Sequence, residues 1–154
     1  MDGKSCFFIG SRYSSSDIKA PLAEAVERHI IEYGVSIFTV GRYGAFDSMA
    51  REVLREAKKQ YHDIEIYLLT PYALTQKTDN PEGFDGTFYP EGLEKVPLRL
   101  AIVQANRIMV QNSDYLIANP GIGNSRNLVE FAEKREKKGL IKVTLLKVGS
   151  GWAK

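Results

Sequence analysis

The chain has 154 residues, of which 44% are hydrophobic and 26% are charged, and its formal net charge at pH 7 is +2. This length and composition are typical of one globular domain, residues 1–154, and they exclude a disordered or disulfide-stapled chain, since Cys6 is the single cysteine. The small net charge excludes an argument for nucleic-acid binding from electrostatics alone.

Apolar runs alternate with amphipathic segments along the chain, which predicts strands alternating with helices. In chain order, the predicted strands are residues 4–9, 35–40, 64–69, 115–118 and 141–148, and the predicted helices are residues 18–33, 45–60, 97–111 and 125–138. This order predicts an α/β fold, a Rossmann-like, doubly wound parallel sheet of about five strands with helices on both faces.

One segment interrupts this alternation. Between Thr70 and Pro90 the chain carries several proline and glycine residues and shows no hydrophobic period. Loops of about 20 residues are uncommon in compact domains and are usually functional or mobile. We therefore expect residues 70–89 to form a lid or an oligomer contact.

Three glycine-bearing turns each follow a predicted strand and precede a helical segment. The carboxyl ends of parallel strands share one edge of the sheet, where small ligands bind and helix amino termini favour anions. The turns therefore predict a nucleotide-like ligand. The candidate ligand-binding residues are Gly10, Ser11, Arg12, Gly41, Arg42, Gly44, Asp47, Asn119, Pro120, Gly121, Gly123, Asn124, Ser125 and Arg126.

Charged side chains in the first two turns suggest specific roles. Arg12 and Arg42 are suited to pair with a phosphate through the planar guanidinium, although Arg12 is equally compatible with a solvated loop cation. Asp47 either caps the second long helix or accepts a hydrogen bond from a ribose hydroxyl. The third turn is either a phosphate or ribose cradle or an ordinary tight connection.

Other reactive residue types give weaker signals. Cys6 reads as a small buried hydrophobe in the first strand, and His29 and His62 read as structural or solvent-exposed residues. No metal-ligand spacing is evident, so we expect neither a metal nor a cofactor. No apolar run is long enough to span a bilayer and no signal-peptide pattern precedes the first strand, so we expect a cytoplasmic protein without membrane contact.

Several short motifs are spread over the stretch from Cys6 to Val148. They are residues 8–12 (FIGSR), 41–47 (GRYGAFD), 58–61 (KKQY), 89–97 (YPEGLEKVP), 99–102 (RLAI), 106–109 (NRIM) and 113–117 (SDYLI). In these motifs the chain resembles the SLOG superfamily of Rossmann-like domains, within it the YpsA-like branch. The resemblance implies a nucleotide-derived ligand at the three turns. Dimers are common among the resembling proteins, so a homo-oligomer is also expected.

The same superfamily includes phosphoribohydrolases of the Lonely Guy type, which carry a Pro-Gly-Gly-x-Gly-Thr-x-x-Glu motif. The corresponding stretch here keeps Pro120, Gly121 and Gly123, lacks the threonine, and places Glu130 two residues late. This departure counts against that activity. It counts equally against the related nucleoside deoxyribosyltransferases, which use a glutamate nucleophile after a short Gly-Thr turn.

Three functions remain open from the sequence. The first is binding of an ADP-ribose-like or cyclic nucleotide signal by a sensor or sequestering protein, and sequestration would suit an antidefence protein of a phage or mobile element. The second is an N-glycosidic hydrolase or transferase, with Glu130 or Glu94 as nucleophile or general acid and Arg12 or Arg126 holding the phosphate. The third is binding of single-stranded nucleic acid by aromatic stacking, which the charge makes the weakest.

Overall fold

The computed structural model describes residues 3–71 and 83–147. Six parallel strands form one sheet in the order β4-β3-β2-β1-β5-β6. The strands are β1 (Lys4–Gly10), β2 (Val35–Val40), β3 (Glu65–Leu69), β4 (Gly86–Phe88), β5 (Tyr115–Asn119) and β6 (Lys142–Leu145). The helices are α1 (Lys19–Ile31), α2 (Gly44–Gln60), α3 (Leu98–Asn112) and α4 (Asn124–Lys137), and a short 3-10 helix, Ser16–Ile18, precedes α1.

The first strand shows how the sequence builds a sheet buried on both faces. Cys6 and Phe8 face one side and pack in a cluster with residues of α1 and α2. Phe7 and Ile9 face the other side and pack with residues of α3 and α4. A continuous apolar run is what a parallel strand covered on both faces requires. Burial also raises the pKa of the Cys6 thiol well above its usual value, in keeping with the role of a small hydrophobe.

Helices on both faces confirm the predicted doubly wound fold, with six strands rather than about five. The additional strand is β4, which lies within the segment expected to be a loop. Phe84 is buried in the α1 and α2 core, and the Asp85 carboxylate accepts a hydrogen bond of 2.7 Å from Ile66 N–H. These contacts align residues 86–88 beside β3. Three residues are too few to show a period among glycines and prolines, so the sequence does not reveal this strand.

Most of the segment expected to act as a lid or oligomer contact, residues 72–82, lies outside the described residues. At its described ends, Thr70 N–H donates a hydrogen bond of 2.9 Å to the carbonyl of Phe88, which joins the end of β3 to the end of β4. No helix among residues 3–71 and 83–147 is both long and apolar enough to cross a membrane.

His29 is a structural residue on the inner face of α1. Its ring is fully buried, and it lies edge-on to the rings of Tyr33 and Tyr115, at centroid distances of 4.9 and 5.4 Å. Nδ1 donates to the carbonyl of Ala25 at 2.7 Å, whereas Nε2 has no hydrogen-bond partner among the described residues. Burial is the main reason that the pKa of His29 is lowered from 6.5.

This burial predicts that His29 makes an acid-sensitive contribution to stability. The unfolded chain takes up a proton at His29 near its ordinary pKa, whereas the folded protein resists it until a lower pH, so the stability that neutral His29 contributes falls as the pH drops below about 6.5. Between about pH 7 and pH 5.5 we expect the wild type to lose about 1 kcal/mol more unfolding free energy than a His29→Gln variant. Urea denaturation at each pH measures this difference. An equal effect of His62→Asn, at the exposed histidine, would contradict the assignment.

Candidate functional site

The strand order reverses between β1 and β5, and their carboxyl ends lie side by side. Gly10 pairs with Asn119 in register, and Ser11 N–H donates to the Asn119 carbonyl at 2.9 Å. In doubly wound sheets this crevice is where ligands bind. A cavity of about 320 Å³ opens here. Its described lining consists of Phe8, Ile9, Gly10, Ser11, Arg12, Tyr13, Gly41, Arg42, Tyr43, Asp47, Leu69, Pro71, Ile102, Ala105, Asn106, Ile122, Asn124, Ser125 and Leu128.

The first two turns form one packed unit. The carbonyl of Arg12 accepts a hydrogen bond of 3.0 Å from Ala45 N–H, and the carbonyl of Ser11 accepts one of 3.3 Å from Phe46 N–H. Gly44 has a φ of +92°, and a Cβ there would lie 2.6 Å from the Cα of Arg12. Glycine is therefore required at position 44 both by its backbone conformation and by the close approach of the first turn.

The three helix amino termini differ in what they offer to a ligand. The first N–H groups of α2 are occupied by the carbonyls of the first turn, and α1 begins beyond the 3-10 helix, outside the cavity lining. Helix α4 begins at Asn124 without a side-chain cap, and Asn124 and Ser125 line the cavity. Uncapped N–H groups and the helix dipole favour an anion at the α4 terminus. The sequence-based expectation of three converging termini thus holds for one.

Two arginines add positive charge to the same cavity. Arg12 is exposed on the first turn and Arg42 is half-buried on the second. Behind them, Arg51 of α2 donates a hydrogen bond of 3.0 Å from Nη1 to the carbonyl of Gly41, which fixes the second turn against its helix. Because Arg12, Arg42 and the start of α4 all line the cavity, an anionic group bound there would be attracted by each of them.

Asp47 is the one carboxylate among the described lining residues. Its Oδ2 accepts a hydrogen bond of 3.3 Å from Tyr43 N–H and lies 2.5 Å from where a Cβ on Gly41 would be, so a side chain at position 41 would displace the Asp47 carboxylate. Burial raises the pKa of the Asp47 carboxyl from 3.8 to about 7, and the hydrogen bond and the charge of Arg51 offset only part of that rise. The carboxyl is therefore poised between its two protonation states at neutral pH.

Large apolar side chains surround the cavity mouth. Ile122 is 95% exposed and Tyr13 is 84% exposed, and Tyr43 is also exposed beside them. Exposed apolar groups at the mouth of a cavity are typical of a surface that covers a flat ring. Asn106 of α3 contributes a further polar group to the wall.

Sequence reasoning did not single out Tyr13, Ile122 or Asn106 as parts of the site. The signal that could have indicated Asn106 is its polar side chain on an otherwise apolar part of α3, next to Ala105 of the core. No comparable signal marked Tyr13 or Ile122, because an apolar residue in a turn gives no indication of what it faces.

Eight of the predicted ligand-binding residues line the cavity together, namely Gly10, Ser11, Arg12, Gly41, Arg42, Asp47, Asn124 and Ser125. The other six lie beside it, and several of them shape it. Gly121 N–H donates to Ser125 Oγ at 2.9 Å, and the side-chain oxygen of Asn119 accepts from Ser14 Oγ at 2.9 Å. The remaining residues of this second group are Gly44, Pro120, Gly123 and Arg126.

The two glutamates considered as catalytic residues do not line the cavity. Glu130 is exposed on α4. Glu94 accepts hydrogen bonds from Tyr89 Oη at 2.8 Å and from Gly92 N–H at 3.0 Å, and these donors lower its pKa. Among residues 3–71 and 83–147, no group of three histidine, cysteine, aspartate or glutamate side chains is placed to hold a metal ion.

No protein-family model and no curated protein matches the chain. Among solved structures, the chain is similar to the molybdenum cofactor binding protein from the phototrophic bacterium Rippkaea orientalis. The TM-score is 0.59 and the identity 19%, over 94% of this chain and 77% of that chain. At this identity the likeness shows the fold alone, a Rossmann-like parallel sheet. The resemblance to the SLOG superfamily stays a prediction from the motifs.

Proposed function

We propose that this protein binds a nucleotide-derived, phosphate-bearing small molecule at the carboxyl edge of its sheet and holds it without changing it chemically. One observation carries the proposal: a single cavity combines Arg12, Arg42 and the uncapped start of α4 with apolar side chains at its mouth. The cationic part suits a phosphate and the apolar part suits a flat ring. A protein that binds such a molecule could sense it, deliver it to a partner or sequester it.

Binding without turnover is favoured by the distribution of carboxylates. Cleavage of an N-glycosidic bond ordinarily uses a pair of carboxyl groups, or a nucleophilic carboxylate beside the anomeric carbon. Asp47 is the only carboxylate among the described cavity residues, and neither Glu94 nor Glu130 lines the cavity. The similar solved structure is also named for a cofactor that the protein binds rather than for a reaction.

Native mass spectrometry of freshly purified protein tests the proposal first. We expect a bound small molecule at fixed stoichiometry, or, for an empty protein, a thermal shift with ADP-ribose, cyclic nucleotides or nucleoside monophosphates. Chromatography of the ligand before and after incubation then separates binding from turnover. Recovery of cleaved ligand at many equivalents per protein would overturn the binding function in favour of the hydrolase. The same spectra report whether the protein forms the homo-oligomer predicted from the resemblance.

Arg12→Ala is expected to weaken the affinity for such a ligand by about tenfold or more, because a charge-assisted hydrogen bond contributes about 1.5–3 kcal/mol. The fold should survive, since Arg12 contacts α2 through its backbone carbonyl. Isothermal titration calorimetry measures the affinity. The matched control is Arg28→Ala, which removes an exposed arginine of α1 outside the cavity lining. Equal affinities for the two variants would count against the phosphate role of Arg12.

A further inference from the structure

Asp47 is placed where a carboxylate is unexpected in a cavity that attracts anions. It lies in the first turn of α2, and its Oδ2 is held by Tyr43 N–H at 3.3 Å against the backbone of Gly41. The other oxygen, Oδ1, has no hydrogen-bond partner among residues 3–71 and 83–147. The carboxyl therefore has one oxygen anchored by the protein and one available to a ligand.

Arg51 lowers the pKa of the Asp47 carboxyl through its charge, but it forms no salt bridge with that carboxyl. Asp47 takes part in none of the ion pairs within the described part of the chain. Arg51, one turn further along α2, directs Nη1 to the carbonyl of Gly41 instead. Burial therefore disfavours the charged form of Asp47, and its pKa of about 7 reflects that environment.

The remaining charged neighbours are mostly positive. They are Arg51, Arg55 and Glu52 of α2, Arg42 of the second turn and Arg12 of the first turn. Glu52 is itself paired with Lys19 at 2.6 Å. The described lining residues from α3 and α4 are uncharged; they are Ile102, Ala105, Asn106, Asn124, Ser125 and Leu128.

We propose that Asp47 acts in its neutral form, as a hydrogen-bond donor that reads an acceptor atom of the bound anionic ligand. An ionised carboxylate would repel a phosphate held by Arg12 and Arg42 in the same small cavity, whereas a carboxyl O–H would donate to an oxygen or ring nitrogen of the ligand. The inference rests on the proposed function. It makes Asp47 a specificity-determining residue and implies that binding takes up a proton near neutral pH.

ADP-ribose is the appropriate ligand for the test, because its pyrophosphate does not titrate between about pH 6 and pH 9. We expect wild-type affinity to fall by about tenfold per pH unit above about pH 7, where the carboxyl must first be reprotonated. Asp47→Asn keeps an N–H donor without titrating. Its affinity should be independent of pH and should exceed that of the wild type at about pH 9 by tenfold or more. Asp47→Leu should bind several-fold more weakly than Asp47→Asn at every pH.

Calorimetry in buffers of different ionisation enthalpy counts the protons taken up, and Asp17→Asn, at an exposed aspartate outside the cavity lining, is the control that should behave as the wild type does. Wild-type affinity that rises with pH, or an Asp47→Asn variant weaker than the wild type at about pH 9, would show an ionised acceptor and overturn the donor role. Binding with no pH dependence would overturn it too, while leaving the proposed function intact. Failure of ADP-ribose, cyclic AMP and AMP to bind would overturn both.

Discussion

Alanine at position 44 is expected to destabilise the protein by about 3 kcal/mol. Gly44 has a φ of +92°, where an L-residue costs about 1–2 kcal/mol, and the added Cβ would meet the Cα of Arg12 at 2.6 Å and its Cβ at 2.7 Å. Relief requires the first turn to separate from the start of α2, which breaks the hydrogen bonds that Ser11 and Arg12 accept. Chemical denaturation monitored by far-UV circular dichroism measures the loss.

Gly92→Ala is a closely matched control for this prediction. Gly92 has a φ of +93°, nearly that of Gly44, but no atom lies within 4 Å of where its Cβ would be. Gly92→Ala therefore carries only the conformational cost of about 1 to 2 kcal/mol. The difference between the two variants isolates the contact with the first turn. Equal losses of stability would show that the two turns are not rigidly packed.

Asp47→Asn is expected to stabilise the protein at alkaline pH by about 2–4 kcal/mol. The unfolded chain ionises Asp47 near its ordinary pKa of 3.8, whereas the folded protein holds the proton until about pH 7. The stabilisation that the protonated Asp47 carboxyl contributes is therefore fully present below about pH 4. It declines as the pH rises towards 7 and is lost above it. Asparagine occupies nearly the same volume without a charge, so it avoids the cost of burying an ionised carboxylate.

Thermal and urea unfolding of the wild type and of Asp47→Asn at about pH 4.5 and about pH 8.5 measure the difference in stability without any ligand. The advantage of Asp47→Asn should be small at the acidic pH and largest at the alkaline pH. Asp17→Asn should change stability by less than about 0.5 kcal/mol at both values, as is usual for exposed positions. A variant of Asp47 that is less stable than the wild type at about pH 8.5 would contradict the raised pKa. A stabilising substitution at a ligand-facing residue is a frequent sign that function costs stability.

Local patterns were sufficient to predict most of the fold. The apolar run through Phe7 and Phe8 and the helical spacing of α2 indicated their elements correctly. Burial on both faces of a sheet leaves a continuous apolar run, and amphipathic packing leaves a helical period. Strand β4 shows neither pattern. Its position depends on Phe84 and Asp85, whose contacts with α2 and β3 come from distant parts of the chain.

The sequence was sufficient to predict at which edge of the sheet the candidate site lies, but not how its residues are arranged. The turns at Gly10, Gly41 and Gly123 indicated one end of the sheet, and topology alone brought residues from each of them to the cavity. Which helix termini stay uncapped depends on long-range backbone hydrogen bonds, such as the one between Arg12 and Ala45. Glu130 lies outside the described cavity lining because of the face of α4 on which it stands, and helical periodicity without a known packing partner does not determine that face.

The hydrogen bonds between the first turn and α2 also bear on how the binding preference of this protein can evolve. Ser11 and Arg12 cap α2 through carbonyl oxygens, which every amino acid possesses. Substitutions at the exposed Arg12 can therefore change the ligand surface while the cap persists, whereas the Ser11 side chain packs against the third turn, with its Oγ 2.8 Å from where a Cβ on Gly121 would be. A one-residue insertion or deletion would shift both carbonyls out of register. Sequence diversity among proteins evolved from this one should therefore accumulate at position 12 at constant turn length, and a library randomised at that position should yield mostly folded proteins.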